Sequence, residues 1–515
     1  MKHKSIFTKL IFAIIGGFTL FTTQLSAQKY GYDVIINNQP TADQRSPRLT
    51  IAVNGWMFAS YLKDDSLKIY KSTDNGINWT YFSFGNNIGA YDMVVCGTTI
   101  ADLYLCLAVY VTNLKKVIVV KADVNTATAF GYSLNYPING DYVPDIKIAS
   151  DYKFPAYGAS PYSLAVAFTI RGTYRDSVIC WTSPDAGATF PIANKKTVDV
   201  SLFNYFRNIS LCYGHSGVSG QYEKGRYFVA WEEIENTSDE TGHIKFNRSD
   251  EYFNDVFLPW PTYIDSIYST DAGNCKNPVV CCQADNAVNS SSGLTMMVAY
   301  DRKYTSTDYD IKYCFAYTFS PIIWTTVSIA NTSAIETQAD VVYDPVNHNF
   351  LATYYDQSTQ KLPFRLKDFN LADPYNWLVY NEGYNDSPAL SNPYPQIDIN
   401  PLYTKVAFAW CKDGTPTTNG VIMYDGENSN NNINDLAASN ELKLYPNPTS
   451  DFVNFKTTTS DHYIVTLYNI TGQEVLINYF SGNTHLLNLQ NIPKGYYLLK
   501  ITSDNSSYSE KLIIQ

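Results

Sequence analysis

Acid–base, nucleophilic or metal chemistry is built from paired carboxylates, histidines and cysteines. Glu232-Glu233, directly after Trp231, offers the acid and base of a glycosidase. Adjacent strand residues point to opposite faces, so the two cannot flank one bond, and a polar turn entry is the better reading. Gly214-His215-Ser216-Gly217 approaches a nucleophile elbow, but Val218 stands where G-x-S-x-G needs glycine and no strand-then-helix pattern surrounds it. It reads as a hairpin loop. His215, His243 and His348 each lack a second His or Cys at ligand spacing, so no zinc site and no metal is expected. Asp308 and Asp310 supply two carboxylates, too few oxygens for calcium. No cofactor is expected. The nine cysteines are an odd number, and most fall in apolar strand-like stretches. They read as small buried hydrophobes, with room for one or two disulfides in an oxidising compartment and no readable connectivity.

The elements that hold these residues repeat. Between Arg45 and Gly426 an apolar stretch ending in Ala plus an aromatic recurs as MFASYL, LCLAVYV, VAFTI, FVAWEE, MVAYDR, LATYYD and AFAWCK. The aligned alanines are Ala59, Ala108, Ala167, Ala230, Ala299, Ala352 and Ala409. One short strand precedes each stretch (SPRLTIAV, NPVVCCQ) and another follows (SLKIYKS, GVIMYDG). Three aligned strands and a variable fourth per unit describe the blades of a β-propeller. Seven units are counted, with six or eight as the bounds. The small Ala suits a second strand packed where neighbouring sheets crowd together. The last unit reaches Tyr424 without a fourth strand, and an open edge must be covered. The strand-like segment 32–36 is expected to pair there and close the ring.

Two units carry a sharper pattern: Ser72, Asp74, Gly76 and Trp79 in STDNGINW, and Ser183, Asp185, Gly187 and Phe190 in SPDAGATF. Both resemble Asp-boxes (BNR repeats) of sialidase-like propellers, in which Ser and Asp bond turn backbone, Gly takes positive φ and the aromatic tucks under the sheet. The role is structural. A sialidase needs three Arg to clamp a carboxylate, an acid for proton transfer and a Tyr nucleophile. The resemblance implies candidates for these roles: Arg45 in Arg45-Ser46-Pro47, where Ser replaces the family's apolar middle residue; Asp64 or Asp65 as acid; Arg248 and Arg302 to complete a clamp; and Tyr394.

The two ends read as addresses. Residues 1–27 carry Lys2, Lys4 and Lys9, then an apolar run from Leu10 to Phe21 too short to span a bilayer, which is a secretory signal peptide. No later segment is long and apolar enough to be transmembrane. The propeller is assigned to 28–426, an Asn-rich linker to 427–440, and a small β-sandwich of about seven short strands to 441–515. The last module holds Tyr445-Pro446-Asn447-Pro448, then Gly472-Gln473, then Gly495 and Tyr497 before the terminal EKLIIQ. It resembles the type A C-terminal sorting domain of the type IX secretion system, which implies a partner in that machinery and passage through the periplasm to the medium or cell surface.

With 37 basic against 48 acidic residues and a net charge of -11, the chain is a poor ligand for nucleic acid. The expected molecule is all-β: a secreted or surface-bound sialidase-like propeller with a removable sorting domain. Its expected role is binding or adhesion toward glycan or protein ligands, and the alternative is a sialidase-like exo-glycosidase.

Overall fold

Strands rich in β-branched and aromatic residues dominate the computed structural model, and among the described residues helix is limited to short 3-10 turns such as Ile192–Asn194. Those residues are 33–36, 44–97, 103–125, 129–138, 142–150, 164–172, 176–215, 225–249, 262–265, 271–285, 295–317, 324–368, 377–381, 383–386, 388–389, 392–400, 405–412, 421–426, 444–469, 473–502 and 507–515. The proposed signal peptide and linker lie outside them. The chain divides into two compact units, Tyr32–Ser429 and one that includes Asn430–Gln515.

Among the described residues the first unit contains seven four-stranded antiparallel sheets in chain order, spanning 44–85, 88–137, 146–201, 205–263, 275–330, 336–381 and 396–426. Six are built wholly from consecutive strands. The seventh takes Val34–Ile35 as its fourth strand, with Val34 opposite Tyr424 and Ile35 opposite Met423. Ile36 N–H donates to Ile422 O (2.9 Å), and Asp33 and Asp386 each receive the other's backbone N–H. The open edge of the last sheet is thereby paired.

The first strand of every sheet contributes to one central cavity of about 280 Å³, lined by 48–50, 92–94, 147–150, 210–213, 279–282, 340–343 and 396–399. Neighbouring sheets are joined around it by a side-chain oxygen that accepts a backbone N–H from the next first strand. Thr50 receives Val95 (3.3 Å), Asp92 receives Ile148 (3.0 Å), Asp145 receives Ile209 (2.8 Å) and Ser210 receives Val280 (3.0 Å). Asp301 receives Gln338 (3.0 Å), Asp340 receives Ile397 (2.9 Å), and Asp398 receives Ile51 of the first sheet (2.8 Å). The series returns to its starting sheet. Each acceptor fills a backbone donor that the sheet edge would leave unsatisfied at the cavity wall.

The seven aligned alanines are fully buried in the second strands. They stand opposite Leu49, Asp92, Lys147, Ser210, Val279, Val341 and Gln396 of the first strands. A larger side chain there would push against the adjoining sheet.

The two sharper turns share one hydrogen-bond plan. Ser72 Oγ donates to Asp74 Oδ1 (2.8 Å) and accepts from Gly76 N (2.9 Å), while Asp74 Oδ1 accepts from Asn78 N (2.9 Å). Ser183, Asp185, Gly187 and Thr189 repeat those bonds at 2.7, 2.9 and 2.8 Å. Gly76 and Gly187 adopt φ of 84° and 74°. Gly76 lies so close to the Tyr424 ring that a Cβ would overlap it, and the Trp79 ring meets Tyr424 edge-on at 5.2 Å. The equivalent second turn receives Tyr104 Oη and Lys121 Nζ on Ala186 O, and Phe190 is buried in the core beyond it. Each turn therefore fastens its own sheet to the preceding one.

Among its described residues the C-terminal module forms one four-stranded antiparallel sheet, with Phe452–Asn469 between Glu474–Asn488 and Gly495–Thr502, and Ser507–Ile514 at the edge. Seven short strands were expected. The stretches 452–455 and 464–469 are instead parts of one strand, as are 474–478 and 486–488, and the register slips between Lys456 and Asp461 take up the irregular segment. Val453, Phe455, Leu467, Leu487, Leu499 and Leu512 are among its buried core residues. Asn447 ties the Tyr445-to-Pro448 segment to the last strand, donating Nδ2 to Lys511 O (2.6 Å) and accepting Ile513 N (3.0 Å). Gln473 closes its turn on Asn469, Tyr497 Oη reaches Pro493 O (2.6 Å), and Gly495 lies beside the Tyr497 ring. Gly472 falls outside the described residues.

Candidate functional site

Function in a ring of sheets is carried at an end of the ring, where connecting loops stand on a rigid frame. The end at which the first strands begin and the second strands finish has a distinctive backbone. Register slips fall between Arg45 and Arg48, Arg207 and Ser210, Lys276 and Val279, and Thr337 and Asp340. Inside those bulges Ser46, Asn208, Asn277 and Gln338 take φ of 55°, 50°, 53° and 61°, and Tyr394, just before the seventh first strand, takes 46°. Asparagine tolerates this left-handed region better than most residues, and a bulge turns its side chain out of the ladder.

The turned-out amides form a bonded arc across four sheets. Asn208 Nδ2 donates to Glu232 Oε2 (2.7 Å) and Asn277 Oδ1 (3.1 Å), and Asn277 Nδ2 donates to Asp301 Oδ2 (2.7 Å). Gln338 Nε2 donates to Asn392 Oδ1 (3.0 Å), and Gln338 Oε1 accepts from Tyr394 N (2.9 Å). Two fully buried carboxylates sit beneath this arc. Burial raises the Glu232 pKa against the bonds from Arg207 and Asn208, and raises Asp301 to about 7 against the Asn277 bond and the Lys276 charge. Glu240 is the opposite case: bonds from Lys303 and Tyr309 hold it down to about 2.

Glu232 and Glu233 do point to different neighbours, but they are not turn residues. Glu232 pairs with Arg207 (2.5 Å), and Glu233 pairs with Lys245 (3.3 Å) and accepts from Tyr263 Oη (2.8 Å). Both are buried at the end of a strand. His215 likewise is fully buried, bridged to Ala284, and donates its backbone N–H to Gln283 O, rather than lying in an open hairpin. Among the described residues no three His, Cys, Asp or Glu gather as metal ligands.

The residues singled out for catalysis do not converge. Arg45 is bound by Asp65 at 2.5 Å, and that pair is half exposed, at 49% and 62% of the two side chains. Asp64 and Asp65 form the adjoining hairpin with φ of 48° and 59°. Arg302 is buried, donates to Asp271 (3.1 Å) and lies 3.6 Å over the Tyr304 ring. Arg248 pairs with Phe228 near the start of a second strand, whereas Arg45 pairs with Leu62 near the finish of one, so the two stand at opposite ends of the ring. Tyr394 is at the same end as Arg45 and is 45% exposed.

Exposed rings collect at that end. Tyr142 precedes the third first strand, Phe203 precedes the fourth, Tyr304 lies in the fifth sheet's hairpin and Tyr394 precedes the seventh first strand, with exposures of 47%, 86%, 44% and 45%. Nothing local marks them in the sequence, where they are four among 43 Tyr and 26 Phe.

Residues 443–515 match the family described as secretion system C-terminal sorting domain. The chain carries a type IX sorting domain. This marks it for export, ending in secretion or attachment at the cell surface. Among the described residues no helix is long and apolar enough to cross a membrane. An endo-acting ulvan lyase of Formosa agariphila is 29% identical over 79 residues, which is 15% of this chain and 15% of the lyase. Among solved structures, the Dos1 propeller is similar at 14% identity, over 77% of this chain and 80% of that one, with a TM-score of 0.40. The polysaccharide lyase Uly1 is similar at 9% identity, over 79% and 93%, with a TM-score of 0.41.

Proposed function

We propose that residues 32–426 are a seven-bladed propeller of sialidase type, with two Asp-boxes, that leaves the cell and binds a glycan on the end where its first strands begin. The observation that carries this reading is the set of exposed rings, Tyr142, Phe203, Tyr304 and Tyr394, on the same end as the hydrogen-bonded arc of amides. Sugars present C–H faces that stack on aromatic rings and hydroxyls that bond to amides, and rings with few rotatable bonds lose little entropy on contact. The carboxylates below are committed to scaffold bonds, which supports recognition over catalysis.

The alternative, a sialidase-like exo-glycosidase, requires three guanidinium groups around one carboxylate. Of its candidates, Arg45 and Arg302 are held by Asp65 and Asp271, and Arg248 is at the other end. The exported chain, probed on an array of sialosides and algal polysaccharides including ulvan, is expected to bind without turnover. Phe203→Ala and Tyr394→Ala should each weaken binding about 10-fold, the usual scale for a stacking aromatic. Unchanged binding in both variants removes the face from consideration. Release of sialic acid that is lost in Arg45→Ala replaces the binding reading with the enzyme.

A further inference from the structure

The fourth and fifth sheets meet along their first strands, Tyr205–Gly214 and Cys275–Cys282, and three bonds hold the seam in register. Asn208 Nδ2 donates to Asn277 Oδ1 (3.1 Å), Val280 N–H to Ser210 Oγ (3.0 Å), and His215 N–H to Gln283 O (3.0 Å). Cys212 lies two residues beyond Ser210, and Cys282 two beyond Val280. A strand repeats its facing every second residue, so this offset brings both thiols to the same level of the seam. Their sulfurs are 3.4 Å apart. Cys282 is buried, whereas Cys212 is partly exposed and lines the central cavity. The adjacent Cys281 faces the other way, into the cluster of Met297 and Tyr313, and cannot compete.

We propose that Cys212 and Cys282 are joined by a disulfide in the exported protein, a covalent staple across the seam beside the central cavity. A sulfur–sulfur bond is about 2.05 Å long, so roughly 1.4 Å must be closed, within reach of small side-chain rotations on strands already in register. The proposal takes only the oxidising compartment from the export reading. The oxidant is the disulfide of a thiol–disulfide oxidoreductase. The Cys212 thiolate, reached from the cavity side, attacks one sulfur of that disulfide and expels the other as thiolate. Cys282 then loses its proton and attacks Cys212 Sγ, and the oxidoreductase leaves as a dithiol. Two thiols become one disulfide, two protons are passed on, and the incoming disulfide takes up the electron pair.

The test is to denature the full chain recovered outside the cell and alkylate it without reduction. Seven of the nine cysteines should be labelled, and a digest should yield one crosslinked peptide that contains Cys212 and Cys282. Cys212→Ser and Cys282→Ser should each leave all eight remaining thiols labelled. Nine labelled thiols on the exported chain, or a link that uses any other cysteine, overturns the proposal. A second arm is independent of export: the purified reduced chain, equilibrated with oxidised glutathione, should form the same pair and show a higher unfolding midpoint. Failure of the pair to form there also overturns it. If the chain never reaches the exterior but this arm yields the pair, the export reading falls and the pairing stands.

Discussion

Asp301 is fully buried, accepts from Asn277 Nδ2 and from Gln338 N–H, and has its pKa raised to about 7 chiefly by burial. An unfolded Asp titrates near 3.9, so between about pH 4 and 7 the folded chain holds a proton that the unfolded chain has lost. Its contribution is therefore complete below about pH 4 and is lost as pH rises through 7. The unfolding midpoint should drop between about pH 4 and 7 and level off above that, and Asp301→Asn, which keeps an acceptor for Gln338 and never ionises, should flatten that drop. Melting curves at several pH values for both proteins check this; an unaltered slope in the variant would assign the effect to another group. Asp301 was not legible as a functional or a structural residue. Its partners are distant in sequence, and an acid after MVAY reads as the start of a turn. Glu232-Glu233 misled for the same reason: a strand-end acid with a buried arginine or lysine partner looks the same in sequence as a solvated one.

Strand position was easier to read than strand partnership. The apolar stretch that ends in Ala plus an aromatic is a local pattern, and each of the seven alanines stands inside a strand in the structure. The inter-sheet acceptors Asp92, Asp145, Asp340 and Asp398 lie outside those stretches, and their partners are chosen by the closed ring; Asp398 meets Ile51 across 347 residues. In the C-terminal module the Thr, Ser and Asp of 456–461 read as a loop, and a bulged strand absorbs them instead. The same scale sets a prediction for Val34–Ile35. Removing 32–36 takes away a few backbone hydrogen bonds at about 1 kcal/mol each and the buried Ile36 at about 2 kcal/mol, so roughly 4 kcal/mol of stability should be lost. Chemical denaturation checks this, and an unchanged midpoint would mean that the strand contributes nothing to closing the seventh sheet.

At the scale of the whole molecule, the sorting module and the sheet-rich unit are separate compact bodies, so one should fold without the other. Deleting 441–515 is expected to leave a folded, protease-resistant 28–440 fragment in the periplasm, and cell fractionation shows where it stops. Its normal appearance in the medium would detach export from the sorting domain. The sheet-rich unit has a further property that follows from how its first and last strands meet. Val34 stands opposite Tyr424, so the chain enters and leaves the unit one strand spacing apart, about 4.8 Å. With Asp398 bonded to Ile51 as each earlier sheet is bonded to its successor, the assembly has no intrinsic beginning. A short peptide bridging 426 to 34 would make the backbone a circle, and opening that circle between the third and fourth strands of any other sheet would preserve every neighbour relation. The unit is thus a natural substrate for circular permutation, and its present ends mark one of seven equivalent places to cut.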